Sequence, residues 1–415
     1  MIQDKTIVAI AAATGLLTLL ASASAVSAQT LSISAISGTR PAVEEAVKNF
    51  EAANPGVTVE ASFTDDAAYL SVLPQQLAGG NAADVFTVWP GTYSPASAGI
   101  LGRRGYVLDL TGEPWAAGIP ETFSKFVGAD GKVFMPPIVS LPITAIYNET
   151  ALEANGMKPP TTWSEVLAYC EAVKAKGLIP YAFGAQTASQ NQMLPFVLAP
   201  TLIDRVNPDF LLKRAAGEAK FADSEWVSVF EHVKQLSDAG CFKDPLGTDL
   251  PAAQAQLVSG EALGIFGHSL VYRQLESLAG DNAKIVATFM PATDNPDDTR
   301  MAVALGSSFA INANSPNADL AKKFLAFVME PANAAKYAIA TGQPPALPND
   351  NYTPTPGTLV SLQYGAEGKT FPVPDQLFPN PNIRNAWVVT TQDMLGGRAQ
   401  PIDVTTAMDE AWDSN

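Results

Sequence analysis

Residues 31–63 hold the pattern that most narrows the choice of fold. Leu31–Ile36 reads as a strand. Pro41–Ala53 then places Val43, Ala46, Val47 and Phe50 at helical spacing. Pro41 suits a first helical turn, and Glu44 and Glu45 favour the positive end of the helix dipole. Asn54-Pro55-Gly56 stops the helix, and Val57, Val59, Ala61 and Phe63 alternate as a second strand. Strand, helix and strand in so short a stretch predict two parallel strands joined by a right-handed crossover. The expected series continues with a helix over Tyr69–Gly79, broken or kinked at Pro74, and a strand over Asp84–Val88.

The alternation returns downstream. Thr162-Trp163-Ser164-Glu165 has capping-box spacing, and the helix it opens should bury Trp163, Val166, Leu167, Cys170 and Val173 before Gly177 ends it. Trp226, Phe230, Val233 and Leu236 line one face of another helix, closed by Gly240. Ser315-Pro316 should start a helix carrying Ala321, Phe324, Leu325 and Val328, with a further helix from Pro331. Met408, Ala411 and Trp412 mark a terminal helix, whereas the proline-rich stretch 343–381 reads as irregular, extended chain. The reading is α/β with more than one sheet.

The N-terminus stands apart. Ile7–Leu20 is an apolar run followed by the small residues Ala21–Ala28, shorter than a membrane span and shaped like an export signal. Cleavage fits after Ala25 or after Ala28, and the second is preferred because strand residues begin at Leu31. The first cysteine is Cys170, so no lipid attaches near the cleavage site, and a periplasmic, unanchored product is expected. What remains of the 415 residues is too long for one core and suggests two domains. The net charge of −16 disfavours nucleic acid and anionic lipid. Cys170 and Cys241 are the only cysteines, and export permits a disulfide between them. Cys170 faces the apolar side of its helix, and Cys241 follows Gly240, where the chain folds back.

Evidence for chemistry is thin. The two histidines, His232 and His268, lack neighbours at metal-ligand spacing, and no phosphate loop, nucleophile elbow or dinucleotide fingerprint occurs. His232 reads as solvated. Neither a cofactor nor a metal is expected. In open α/β sheets ligands sit beyond the carboxyl ends of strands, which singles out Ser37–Arg40, Thr64–Asp66 and Trp89–Tyr93. Aromatic and polar residues on predicted loops complete a candidate set: Arg40, Asp65, Trp89, Tyr93, Gln186, Gln190, His268, Ser307, Ser308 and Trp387. Planar polar groups beside an aromatic face suit a neutral sugar. Arg40 precedes Pro41 at a helix start, where the dipole disfavours it, so a ligand or Asp65 is its expected partner.

Several segments resemble the extracellular sugar-binding proteins of ABC importers, of the maltose and multiple-sugar type. They are Phe50–Val59, Ala83–Phe86, Ile146–Glu149, Gly306–Ile311 and, most distinctively, Pro160–Glu165. Similar segments run from Leu31 to Trp412. The resemblance implies a two-lobed periplasmic binding protein fold of type II, each lobe a sheet flanked by helices, with ligand held in the cleft between them. It implies an N-lobe of 29–143 plus 294–345 and a C-lobe of 147–290 plus 348–415. It also places ligand contacts at Thr39-Arg40, Asp65, Trp89–Tyr93, Gln186, His268 and Ser307-Ser308. Implied partners are a carbohydrate and an inner-membrane ABC permease, the protein being a monomer that does no chemistry. His268 departs from the aromatic residue found there in many relatives. The alternatives from other classes are a secreted glycoside hydrolase, which needs two carboxyls about 5 to 10 Å apart, and a receptor for a polyamine or other non-sugar solute.

Overall fold

The computed structural model describes Met1 and residues 29–414, so the leader and its cleavage sites lie outside the described residues. Strands β1 (Gln29–Ile36) and β2 (Val57–Thr64) pair in parallel from Gln29↔Val57 to Ile36↔Thr64, bridged by the helix Arg40–Ala53. β3 (Val85–Val88) joins the other edge of β1, also in parallel. A small hairpin follows, β4 (Gly128–Ala129) and β5 (Lys132–Val133), turned by Asp130 and Gly131 at positive φ. The remaining strands are β6 (Ser140–Asn148), β7 (Ile179–Ala182), β8 (Ala262–His268), β9 (Ile285–Thr288), β10 (Met301–Leu305), β11 (Ser308–Ile311) and β12 (Thr370–Phe371).

They form two main sheets. The first has the order β11-β3-β1-β2, with the late strand β11 antiparallel to β3. The second runs β12-β10-β6-β8-β7, with β9 beside β6. Each sheet is packed on both faces. Against the first, Phe50 meets Phe324 edge to face at 5.3 Å, while Tyr69, Leu73 and Phe86 fill the opposite side. Against the second, Trp226, Phe230 and Trp387 form an aromatic centre, and Ile265, Val271 and Leu275 fill the other face. Each such side chain contributes about 1.5–3 kcal/mol by burial. Between these two lobes the chain passes three times. At the passages Gly306 N–H donates to Val139 O (2.9 Å), Ser140 N–H to Pro344 O (2.9 Å) and Ala346 N–H to Ile138 O (3.1 Å).

Local expectations meet mixed outcomes. The helix over Asp66–Gly79 runs through Pro74 without ending there. Thr162 accepts from Glu165 N–H as a cap should, but the Glu165 carboxylate reaches Thr161 rather than Thr162, so the box is only half closed. Trp163 is half-buried against His232 and donates to Gln235, so the helix core rests on Val166, Tyr169, Cys170 and Val173. The helix after Ser315-Pro316 starts at Ala318. The proline-rich stretch is not all extended: it holds the helix Leu359–Ala366, strand β12 and a 3-10 turn over Pro374–Leu377. His232 is not simply solvated, because its ring bonds Ser228 O and Ala292 O. Cys170 and Cys241 are joined by a disulfide, with Cα atoms 5.1 Å apart.

Candidate functional site

Register brings the strand ends of both lobes to the crossing segments. Ser308 on β11 pairs with Val88, the last residue of β3. His268, the last residue of β8, pairs with Ile143 on β6, next to Pro142, which pairs with β10. β7 lies parallel to β8, so the loop after it, which carries Gln186 and leads into the helix Gln190–Ala199, leaves the same edge. The loops after β1, β2 and β3 leave the matching edge of the other sheet.

Trp89 is half-buried, its ring 5.8 Å from that of Tyr69. Gln190 is buried with Oε1 unpartnered among the described residues, and the same holds for His268 Nδ1 and Ser308 Oγ. Buried polar atoms are ordinarily hydrogen-bonded, and among the unpartnered ones these three belong to the strand-end residues His268 and Ser308 and to Gln190 at the start of the helix after β7. Burial pushes the His268 imidazole down to about 4, so it is neutral near pH 7. Ser307 is half-buried beside the Gly306 crossing, and Asp65 and Gln186 are exposed.

Three expectations need correction. Trp387 lies wholly within the C-lobe core, with Phe196 at 5.3 Å and Trp226 and Phe230 at 5.9 Å, because its helix turns that face onto neighbouring helices. Thr39 is buried and donates to Ile36 O, so its hydroxyl faces its own lobe. Among the described residues Arg40 makes no ion pair with Asp65; its guanidinium lies 4.0 Å above the Phe63 ring and reaches Glu44 one turn along the helix. That stacking and that ion pair offset the unfavourable dipole.

Sequence reasoning missed the residues that link the lobes beside the strand ends. Thr92 N–H donates to Gln376 O (2.9 Å) and Thr92 Oγ1 to Phe378 O (2.8 Å). Gln376 in turn donates to Leu305 O and accepts from Leu305 N–H. Arg384 lies 5.4 Å from the Tyr93 ring centroid and donates to Gln192 Oε1 (2.6 Å), while Gln192 donates to Asp375 Oδ2 (3.1 Å). Arg384 and Asp375 are 3.6 Å apart. Burial raises the Asp375 carboxyl and outweighs the opposing pull of Arg384 and Gln192; burial likewise raises the Tyr93 hydroxyl. No spacing rule flags residues 375–384, since a proline-rich stretch carries no periodicity. Among the described residues no cluster of three or more His, Cys, Asp or Glu side chains is placed to hold a metal ion, and no helix is long and apolar enough to cross a membrane.

Residues 45–355 match the family model for bacterial extracellular solute-binding proteins. The multiple sugar-binding protein of Streptococcus mutans is 26% identical over 140 residues, 34% of this chain and 32% of that protein. The melibiose/raffinose/stachyose-binding protein of Bacillus subtilis is 25% identical over 249 residues, 59% of this chain and 58% of that protein. The matches thus span between a third and three fifths of those relatives' lengths. In fold, a family 1 extracellular solute-binding protein from Bifidobacterium longum subsp. infantis superposes with a TM-score of 0.75 at 22% identity, covering 94% of this chain and 100% of that one. A sugar transporter from Bacillus licheniformis, solved in complex with stachyose, gives 0.69 at 20% identity, covering 92% and 98%.

Proposed function

The chain belongs to the bacterial extracellular solute-binding proteins, and from that premise we propose that it captures a carbohydrate between its lobes and delivers it to an ABC importer. The observation that carries this reading is the set of unpartnered buried polar atoms on Gln190, His268 and Ser308, with the half-buried Trp89 ring at the matching strand end. Hydroxyl groups of a sugar satisfy such atoms, and a sugar's apolar face covers an indole ring. Tyr93, Ser307, Asp65 and Gln186 complete the site, and Asp375, Gln192 and Arg384 join it from the second lobe. The names of the two curated relatives support the carbohydrate class. We place the lobe boundaries at the three crossings, near residues 139, 306 and 345; the expected bounds 29–143 and 294–345 shift, because 140–143 and 301–305 pair within the second sheet as β6 and β10.

The mechanism is hinge closure. A ligand held by both lobes binds the closed form better than the open one and shifts the population towards it. The importer then takes the closed form. The protein carries out no reaction on its ligand. It is exported by the leader at residues 1–28, works as a monomer in the periplasm and, at a net charge of −16, has no nucleic-acid partner.

A thermal-shift screen of mono-, di- and trisaccharides, with putrescine and amino acids as counter-ligands, tests the class. A sugar at about a hundred times its Kd adds about 2.7 kcal/mol of stability. A shift with putrescine or an amino acid, and with no sugar, overturns the carbohydrate reading while leaving solute capture in place.

A further inference from the structure

The helix Gln190–Ala199 does not stop at Ala199; it continues into a single π-helical turn, Pro200–Asp204. Such turns recur at functional sites, because the extra residue re-aims a side chain. Here the turn places Asp204 in the wall of a cavity of about 520 Å³, the size of a small-molecule site. The rest of that wall is largely apolar, with Phe210, Trp226, Phe371, Val373 and Leu377 on the C-lobe side and Phe126 from the N-lobe side. None of the sugar-site residues named above lines it. Asp204 Oδ2 is buried and has no hydrogen-bond partner among the described residues. Among the described residues, the other charged ones lining the cavity are Lys125 and Asp209, both exposed and opposite in sign. Neighbouring Arg205 is turned away to Asp298 and to Thr201 O.

A part-buried carboxyl with one oxygen shut off from water and left without a partner costs stability unless something in use repays it. We propose that this cavity is a second ligand site, separate from the sugar site, which takes a small organic cation: an amine on an aromatic or branched apolar body, its ammonium group donating to Asp204. Burial lifts the Asp204 carboxyl to about 7, so the group gains a full charge at mildly alkaline pH, where a cation would hold it ionised. The apolar walls exclude a free inorganic cation, which would keep its water.

Benzylamine and its neutral isostere benzyl alcohol separate the two halves of this idea, and Trp226 in the wall offers a fluorescence readout alongside calorimetry. At roughly pH 8.5 benzylamine should bind at least about tenfold more tightly than benzyl alcohol, the worth of one charge-assisted hydrogen bond. The advantage should vanish at roughly pH 5.5, where Asp204 is protonated and benzylamine still charged. Asp204→Asn should abolish it at both pH values. Leu212→Trp, at an exposed position in the lining, should block both probes without touching the carboxyl. His268→Gln should change neither binding. Asp204→Asn should also make the ligand-free protein more stable in alkaline solution, which shows that it folds. Equal affinity for the two probes, retention of the amine preference in Asp204→Asn, or no binding of either probe would each overturn the assignment. All of these outcomes are independent of whether a sugar binds the other site.

Discussion

Asp84 shows how much one side chain can tie together. Its carboxylate accepts from Ser32 N–H and Oγ, from Ser315 Oγ and from Asn317 Nδ2, so it joins β1 and β3 to the start of the helix Ala318–Met329. Burial alone would raise its pKa; the bonds from Ser315, Ser32 and Asn317 outweigh it and hold the group below the usual carboxylate range. A depressed carboxyl gives stability that is present above its unfolded value and lost as pH falls through the folded one. Asp84→Ala should therefore cost roughly 2 kcal/mol or more in urea denaturation at neutral pH, and less in acid. His268 runs in a different window. Its imidazole is neutral when buried and titrates near 4, so the unfolded chain binds the extra proton between about 6.5 and about 4. Stability should fall as pH drops through that window, and His268→Gln should flatten the slope. For ligand binding, Trp89→Ala should weaken sugar affinity by roughly 1–3 kcal/mol. Arg40→Ala should change it by less than about 0.5 kcal/mol, since Arg40 is engaged by Phe63 and Glu44. If calorimetry finds Arg40 to matter more than Trp89, the ligand lies elsewhere on the strand ends.

At the scale of elements, the contacts that hold segments together are covalent in one place and steric in another. The disulfide fastens the helix Trp163–Ala175 to the end of the helix Trp226–Asp238 across 71 residues of sequence. Replacing Cys170 and Cys241 together by Ala should cost roughly 4 kcal/mol if loop entropy governs, read from the urea midpoint. A loss below about 1 kcal/mol would mean that packing of the two helices already restricts the unfolded chain. Gly91 is the steric case. It sits at φ +68°, and an added Cβ would lie 1.8 Å from Gln376 O. The loop after β3 can approach the 3-10 turn Pro374–Leu377 only because this residue has no side chain. Gly91→Ala should therefore separate the two, lose the Thr92 bonds to Gln376 and Phe378, and cost about 1–3 kcal/mol of ligand-free stability.

For the molecule as a whole, the proposed hinge closure would act at the three crossings. At Gly306 a Cβ would fall 2.8 Å from Val139 Cγ2 and 3.2 Å from Val139 O, so the crossings touch along their backbones. Backbone contact of this kind lets a few dihedral angles absorb a rigid rotation of one lobe against the other. Saturating sugar should shrink the radius of gyration in small-angle scattering, and Trp89→Ala should require more sugar for the same change. A sugar that binds tightly with no change in radius would remove hinge closure from the mechanism, because a ligand shifts a conformational balance only by its preference between the two forms.

Much of the fold was legible in the chain itself, because period and punctuation are local properties. Val43, Ala46, Val47 and Phe50 at helical spacing between two alternating strands leave little but a parallel pair, and Gly240 ends its helix wherever that helix goes. Trp89 and His268 were readable as strand-end residues for the same reason, whereas Gln190, expected on a loop, opens a helix. What local rules cannot carry is the facing of a side chain. Trp387 and Trp89 are equally aromatic in sequence, yet one is sealed in the core and the other lies at a strand end, since packing of distant helices decides which face is covered. Arg40 found Phe63 across the crossover, a partner that only strand register supplies. Asp375, Gln192 and Arg384 stand up to 192 residues apart, and Asp204 and Phe126 line one cavity from different lobes. Those meetings depend on where the three crossings set one lobe against the other, which is a property of the tertiary structure alone.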